Sequence, residues 1–483
     1  MLFHTWVFLA FFLAFYPIFL LIKGTRLRLP WLLTASYVFY GWWNPVYLLL
    51  ILWATTVDYL AVRAMAATRW KKPWLALSIV NNLGLLGFFK YGRFVVDNVN
   101  ALAERFDFPY ALSDPNVCFL SDGMNALFSS LNIPYQVPDF RYLLPVGSSF
   151  YVFQSMSYTI DFYRGRVELE RNFIRYATFV SLFPQLVAGP IERASHLLPQ
   201  LQRAPKITRD DVADGLSLFV VGLFKKIALA DYLAMYVDPV YSAPEEYRSP
   251  ALLLATFAFA WQIYFDFSGY TDMARGIGRL IGVRLMLNFN NPYLATGLGD
   301  FWQRWHISLS TWFRDYVYIP LGGNRHGVVR TYVNMILTML ISGLWHGALW
   351  TFVLWGAVHA VGRVLTRSLE QTVVYRDRVP TLAKQVLTFS VVMLAWVFFR
   401  AQSIGDAWLI LGRIFTSGLA DPAFPLLLAG LVLSIWLYQY LYESKLRTIV
   451  SAGPVRLALV VGMLVYMATV ATSGNQEFIY FRF

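Results

Sequence analysis

The chain has six histidines, and three of them sit where a proton acceptor could serve a reaction. His346 closes the apolar run Ile341-Ser342-Gly343-Leu344-Trp345-His346-Gly347. An ionisable residue at the end of a membrane-length apolar stretch is costly and is by default a functional hypothesis. A neutral imidazole can take a proton from an attacking hydroxyl near neutral pH. Ser342 lies four residues earlier, on the same helix face. Its hydroxyl either orients the imidazole or bonds a carbonyl of its own helix. The competing reading of His346 is a buried histidine that bridges helices. His306 lies in Trp302-Gln303-Arg304-Trp305-His306-Ile307-Ser308-Leu309-Ser310-Thr311-Trp312-Phe313-Arg314-Asp315-Tyr316. That density of donors, rings and charge lines a polar cavity or anchors in lipid headgroups. His359 reads as a bridge between helices, and His4, His196 and His326 as surface or loop residues.

Other chemistries lack their motifs. There is no phosphate-cradling Walker loop, dinucleotide fingerprint or paired-histidine metal spacing. There is no Gly-x-Ser-x-Gly elbow. The single cysteine, Cys118, excludes intrachain disulfides and thiolate clusters. A hydrolase, an ATPase or a zinc protease is unsupported, and no metal is expected.

The elements that must position these residues are membrane helices. Of the residues, 58% are hydrophobic, 18% aromatic and only 14% charged. Soluble domains carry about 25% charged residues. The 17 Trp and 29 Tyr suit the headgroup level. The net charge of +12 sits in short clusters between apolar runs, the pattern of cytoplasmic loops, not of a nucleic-acid surface. Part of it would also suit an anionic donor such as a coenzyme A thioester. A span needs about 20 apolar residues. Candidates fall near 5–22, 30–43, 46–62, 74–92, 143–162, 213–236, 251–268, 331–347, 349–362, 383–399, 425–441 and 456–472. The chain therefore reads as one all-α polytopic domain over 1–483, with about 11–12 transmembrane helices. The apolar N-terminus reads as the first of them, with no cleaved leader.

Basic clusters place the loop at 23–28, the connection at 63–72 and the stretch 164–175 in the cytoplasm. The acid-rich segment 95–140 and both termini then face outside. Residues 173–195, broken by Pro184, Gly189 and Pro190, and the Gly- and aromatic-rich 285–324 do not read as simple spans. Irregular backbone at membrane depth survives only inside protein or beside water. Both are expected to be re-entrant, with interfacial loops the alternative. The tail 474–483 is too aromatic for a free segment and reads as an interfacial anchor or a functional element.

Read together and in order, several segments resemble the membrane-bound O-acyltransferase family, in its bacterial branch that acetylates exopolysaccharides such as alginate. They are Gly147-Ser148-Ser149-Phe150-Tyr151-Val152-Phe153-Gln154, Ala188-Gly189-Pro190-Ile191, Gln262-Ile263-Tyr264-Phe265-Asp266-Phe267-Ser268-Gly269-Tyr270, the stretch 302–323, Trp345-His346-Gly347, and Trp396-Val397-Phe398-Phe399-Arg400-Ala401. The resemblance covers nearly the whole chain. It implies helices around a transmembrane tunnel, with His346 as catalytic histidine and His306 as the second signature position. It implies Trp305, Ser308, Trp312, Arg314, Asp315, Tyr316, Ser342, Trp345, Gln154 and Gln262 as tunnel-lining or substrate-binding residues. It also implies an acyl donor, acetyl-coenzyme A, used as substrate, with no tightly bound cofactor.

The acceptor implied is an extracytoplasmic hydroxyl, reached with a periplasmic partner of the SGNH-hydrolase type on a separate chain. The setting implied is a polysaccharide assembly complex in the bacterial inner membrane. The tail pattern Phe478-x-Tyr480-x-x-Phe483 resembles one that ends many members of the branch, which implies partner docking. Three rival readings stay open: D-alanyl transfer to teichoic acid, a transporter of polysaccharide or lipid-linked sugar, and a non-catalytic envelope scaffold.

Overall fold

The computed structural model describes residues 1–109, 111–113, 118–134, 136, 147–470 and 478–479, with the side chains of 118–121 excepted. Cys118 opens the helix Cys118–Ser130, but its side chain lies outside the described residues. The described residues are helical throughout, joined by turns and short extended segments. They form two compact units, Met1–Lys206 and Ile207–Phe483.

In the first unit, Thr5 caps the helix Trp6–Ile22 by accepting the Phe8 N–H. Phe8, Phe15 and Phe19 turn inward from that helix. The expected spans at 30–43 and 46–62 become two helices, Arg28–Gly41 and Tyr47–Ala67, parted at Asn44-Pro45. The helix Lys71–Arg105 runs 35 residues. These helices are pinned by a buried carboxylate. Asp58 accepts from Ser78 Oγ at 2.6 Å, from Asn82 Nδ2 at 2.8 and 2.9 Å, and from Ser155 Oγ. Buried polar groups need such partners, because each unmade bond carries its full desolvation cost.

Gly147 starts the helix Ser148–Tyr163 at φ +76°, and a Cβ there would stand 2.6 Å from the Leu186 carbonyl oxygen. The stretch 173–195 holds the helix Phe173–Ser181 and the short turn Phe183–Leu186, and residues 176–192 are buried.

The second unit is built on the helix Ser249–Leu280, which packs closely along Arg209–Phe224. Glycines permit the approach. A Cβ on Gly215 would lie 2.9 Å from the Gly276 carbonyl, and one on Gly269 would lie 2.8 Å from that of Gly222. The glycines are seven apart on both helices (222 − 215 and 276 − 269), two turns, so both contacts fall on one face. Small residues let membrane helices meet backbone to backbone, where packing replaces the missing hydrophobic drive.

The expected span 213–236 is not one regular helix. A π-helical turn, Lys225–Ala230, interrupts it before Asp231–Ser242. The extra residue per turn brings Lys226 between two carboxylates, with Nζ 2.9 Å from both Asp231 and Asp266. Single π turns often mark functional sites.

Residues 285–324 hold two short helices, Leu298–Arg304 and Ile307–Phe313, followed by a π turn, Arg314–Tyr318. Two long helices then form a hairpin, Gly327–His346 and Trp350–Glu370. Among the described residues, five helices suit a membrane crossing by length and composition: Tyr47–Ala67, Ser249–Leu280, Gly327–His346, Thr381–Arg400 and Leu426–Glu443. Two apolar helices, Trp6–Ile22 and Gly453–Thr469, are shorter.

Candidate functional site

Three histidines meet in the second unit, two of them delivered by breaks in helical geometry. His346 is the last residue of its helix, because Gly347 turns extended at φ −160°. His306 sits between two short helices in a left-handed conformation, φ +42°. A non-glycine residue held there is strained, and such strain gathers at functional positions. His359 lies within Trp350–Glu370. All three are buried, His306 and His359 completely.

Indoles alternate with these imidazoles. The His306 ring centre is 6.2 Å from Trp345, and Trp345 is 5.0 Å from His346. His346 is 4.9 Å from Trp355, and Trp355 is 4.8 Å from His359. Every step is edge to face, with interplanar angles from 66° to 81°. That arrangement sets a ring edge, which carries partial positive charge, against the neighbouring ring's face. It holds each imidazole without spending its nitrogens. His359 bridges helices by ring contact, and neither of its ring nitrogens has a hydrogen-bond partner among the described residues. Phe301 and Trp302 close its other side, at 5.9 and 5.1 Å.

Asn288 fastens His306, with its Oδ1 3.2 Å from His306 Nδ1. The same oxygen accepts the Ser308 N–H at 3.2 Å and the Ser308 hydroxyl at 2.9 Å. Trp305 is buried against Trp396 at 5.1 Å. Ser342 is buried one turn before His346.

A cavity of about 460 Å³ adjoins this row through Phe399, whose ring is 5.4 Å from His346. Gln262, Ser242 and the ion pair Arg400–Asp238, 2.8 Å long, line it with Phe352 and Leu349. Gln262 lines the cavity, with the Phe399 ring between that space and His346. Trp312 stacks on Phe313 and Tyr316 at 5.6 and 5.0 Å. Arg314 is 59% exposed and pairs with Asp315 at 2.8 Å, a surface pair outside the buried row. Gln154 belongs to the first unit, where its amide donates to the Phe179 carbonyl.

The tail enters the second unit. Phe478 is 1% exposed, 5.2 Å from Tyr270 and 6.4 Å from Phe267, whose ring contacts His306 at 4.7 Å. The Ile479 N–H donates to Asp266 Oδ2 at 2.7 Å, and Ile479 lines the cavity. The Phe478 side chain is therefore in the interior of the second unit. Tyr480 and Phe483 lie outside the described residues.

Sequence reasoning missed the Asp231–Lys226–Asp266 cluster and Asn288. Lys226 and Asp231 were legible as charges within an apolar run, a signal that default suspicion of intramembrane charge would have caught. Asn288 carried no such signal. Among the described residues no group of three or more His, Cys, Asp or Glu suits a metal ion.

The arrangement offers buried imidazoles beside a polar-edged cavity, which suits proton transfer to or from a hydroxyl. Comparison with known proteins bears on this. The model of the membrane-bound O-acyltransferase family matches residues 151–404. The chain is 42% identical to the probable alginate O-acetylase AlgI of Azotobacter vinelandii, covering 86% of this chain and 79% of that protein. Its identity to the protein of the same name from Pseudomonas aeruginosa is 41%, over 86% and 75%. To the peptidoglycan O-acetyltransferase of Helicobacter pylori it is 31%, over 94% and 91%.

Proposed function

Because this chain belongs to the membrane-bound O-acyltransferase family and is a multi-pass membrane enzyme, we propose that it carries an acetyl group from cytoplasmic acetyl-coenzyme A to a hydroxyl on the far side of the inner membrane. The acetyl group is destined for a cell-surface polysaccharide, with alginate first among candidates given the relatives' names. The observation that carries the reading is His346, buried at a helix end between two indoles and one ring away from the cavity.

In this reading His346 accepts the proton of the acceptor hydroxyl as its oxygen bonds to the thioester carbonyl carbon. The carbonyl electrons move to oxygen and return as the C–S bond breaks. The thiolate then takes the proton from the imidazolium. An SGNH-type periplasmic partner receives the acetyl group and passes it to the glycan.

The orientation has internal support. Arg279 and Arg456, which follow different apolar runs and would both be cytoplasmic by the basic-loop rule, share Asp214 at 3.1 and 2.8 Å.

The test is acetyl transfer by purified protein in proteoliposomes, using labelled acetyl-coenzyme A. His346→Ala should insert and fold yet lose about 10²–10⁴-fold in rate, as expected for a missing general base. His306→Asn should lose less. Near-normal turnover by His346→Ala would remove the reading.

A further inference from the structure

Asn288 joins the site by an amide whose two ends are unlike. Its oxygen faces three groups, Ser308 N at 3.2 Å, Ser308 Oγ at 2.9 Å and His306 Nδ1 at 3.2 Å. A backbone N–H can only donate, so the atom opposite Ser308 N is the amide oxygen, and the orientation of the amide follows. Facing that oxygen, His306 Nδ1 must carry the proton. The neutral ring then keeps its lone pair on Nε2. Asn288 thereby sets His306 with Nε2 as the acceptor, as an outer partner fixes a histidine tautomer in metal sites.

The other end of the amide is unspent. Asn288 is 1% exposed, and its Nδ2 has no hydrogen-bond partner among the described residues. Buried donors without partners are rare in native proteins, and a role in the reaction is one of the few accounts of them. Its oxygen end is fixed by Ser308 and His306, so the amide donor is held in place, and a fixed donor is what a developing oxyanion requires.

We propose that Asn288 is a site residue for acyl transfer: its oxygen positions His306, and its amide nitrogen donates to the carbonyl oxygen of the acyl group. This rests on the acyl-transfer reading above. As the acceptor oxygen bonds to the carbonyl carbon, the carbonyl pair moves to oxygen and meets the Asn288 N–H. It returns when the C–S bond breaks, so the donor favours the tetrahedral state over the bound thioester. The donor itself is neutral, so it stabilises the oxyanion without a second buried charge.

The experiment uses the full chain in lipid nanodiscs with acetyl-coenzyme A. Asn288→Ala should lower kcat by about 10²–10³-fold, the usual cost of one oxyanion donor, and leave KM for acetyl-coenzyme A close to wild type. A second readout separates donation from mere loop support. In a His346→Ala background, where turnover is blocked, the infrared band of a ¹³C-labelled acetyl carbonyl should shift to lower frequency on binding. Adding Asn288→Ala should abolish that shift. Asn288→Ser, a smaller change, carries the same two measurements if the alanine variant does not fold. Unchanged kcat, or a band that still shifts without Asn288, overturns the proposal. Normal turnover by His346→Ala alone would instead sink the parent reading, so the two failures are distinguishable.

Discussion

The edge of the His346 imidazole meets the Trp355 indole at 4.9 Å between ring centres and 77° between planes. Trp355 is fully buried and also holds His359 and Trp396, at 4.8 and 6.1 Å. One side chain thus forms a wall for two histidines on neighbouring helices of a hairpin. Trp355→Ala should cost about 3–5 kcal/mol, the range for deleting a buried aromatic, and should lower acyl transfer as His346 loses its wall. Trp355→Phe keeps a ring edge and should be milder in both. Thermal unfolding and transfer rates in detergent check this, and a stable, fully active alanine variant would refute it.

Lys226 is buried between Asp231 and Asp266, 2.9 Å from each. Breaking such a group is worse than removing it, because the partner charges stay buried. Lys226→Met should destabilise by about 3–5 kcal/mol. The triple change Lys226→Met, Asp231→Asn, Asp266→Asn should recover much of that loss. If the single and triple variants unfold at the same temperature, the charges were not coupled.

His196 lies outside the membrane helices, with Nδ1 2.7 Å from the fully buried Glu192 carboxylate. That hydrogen bond raises its pKa above the ordinary 6.5 against the opposing effect of burial. The sign follows from linkage: the folded chain holds the proton more tightly than the unfolded one. The contribution is fully present below about pH 6.5 and is lost as pH rises through the folded-state pKa. His196→Gln should flatten the unfolding temperature across that window and leave it sloping elsewhere as in the parent. An unchanged slope would place the titration in another group.

Phe478 and Ile479 are buried against Phe267, Tyr270 and Asp266. Deleting 478–483 should leave insertion into the membrane intact. It should destabilise the second unit by about 1–3 kcal/mol through the acceptor left unpaired on Asp266. Acetyl transfer to the partner should fall more than hydrolysis of the donor. Membrane fractionation, thermal unfolding and the two activities measure this, and a truncated protein equal to the parent in all of them would reduce the tail to an anchor.

Membrane class, helical content and the family were legible in the sequence itself, because apolar length and the order of several short motifs do not depend on how helices pack. His346 was legible for the same reason: an ionisable residue closing an apolar run is conspicuous before any folding. Separate spans at 30–43 and 46–62 were legible as apolar runs, and the break between the two helices falls at Asn44-Pro45. The register of 213–236 was not readable, since a π turn is one residue of slippage that periodicity averages away, yet it decides where Lys226 points.

What packing alone decided was which side chains share an environment. Asn288 and His306 are 18 residues apart and joined through a left-handed residue, a geometry no residue type announces. Trp345, Trp355 and the three histidines form one row because a helix end at His346 and a turn at His306 both meet the helix Trp350–Glu370. Sequence carries the identity of each donor and acceptor, but a hydrogen bond depends on ångström distances between segments that are remote along the chain, and only the folded structure sets those.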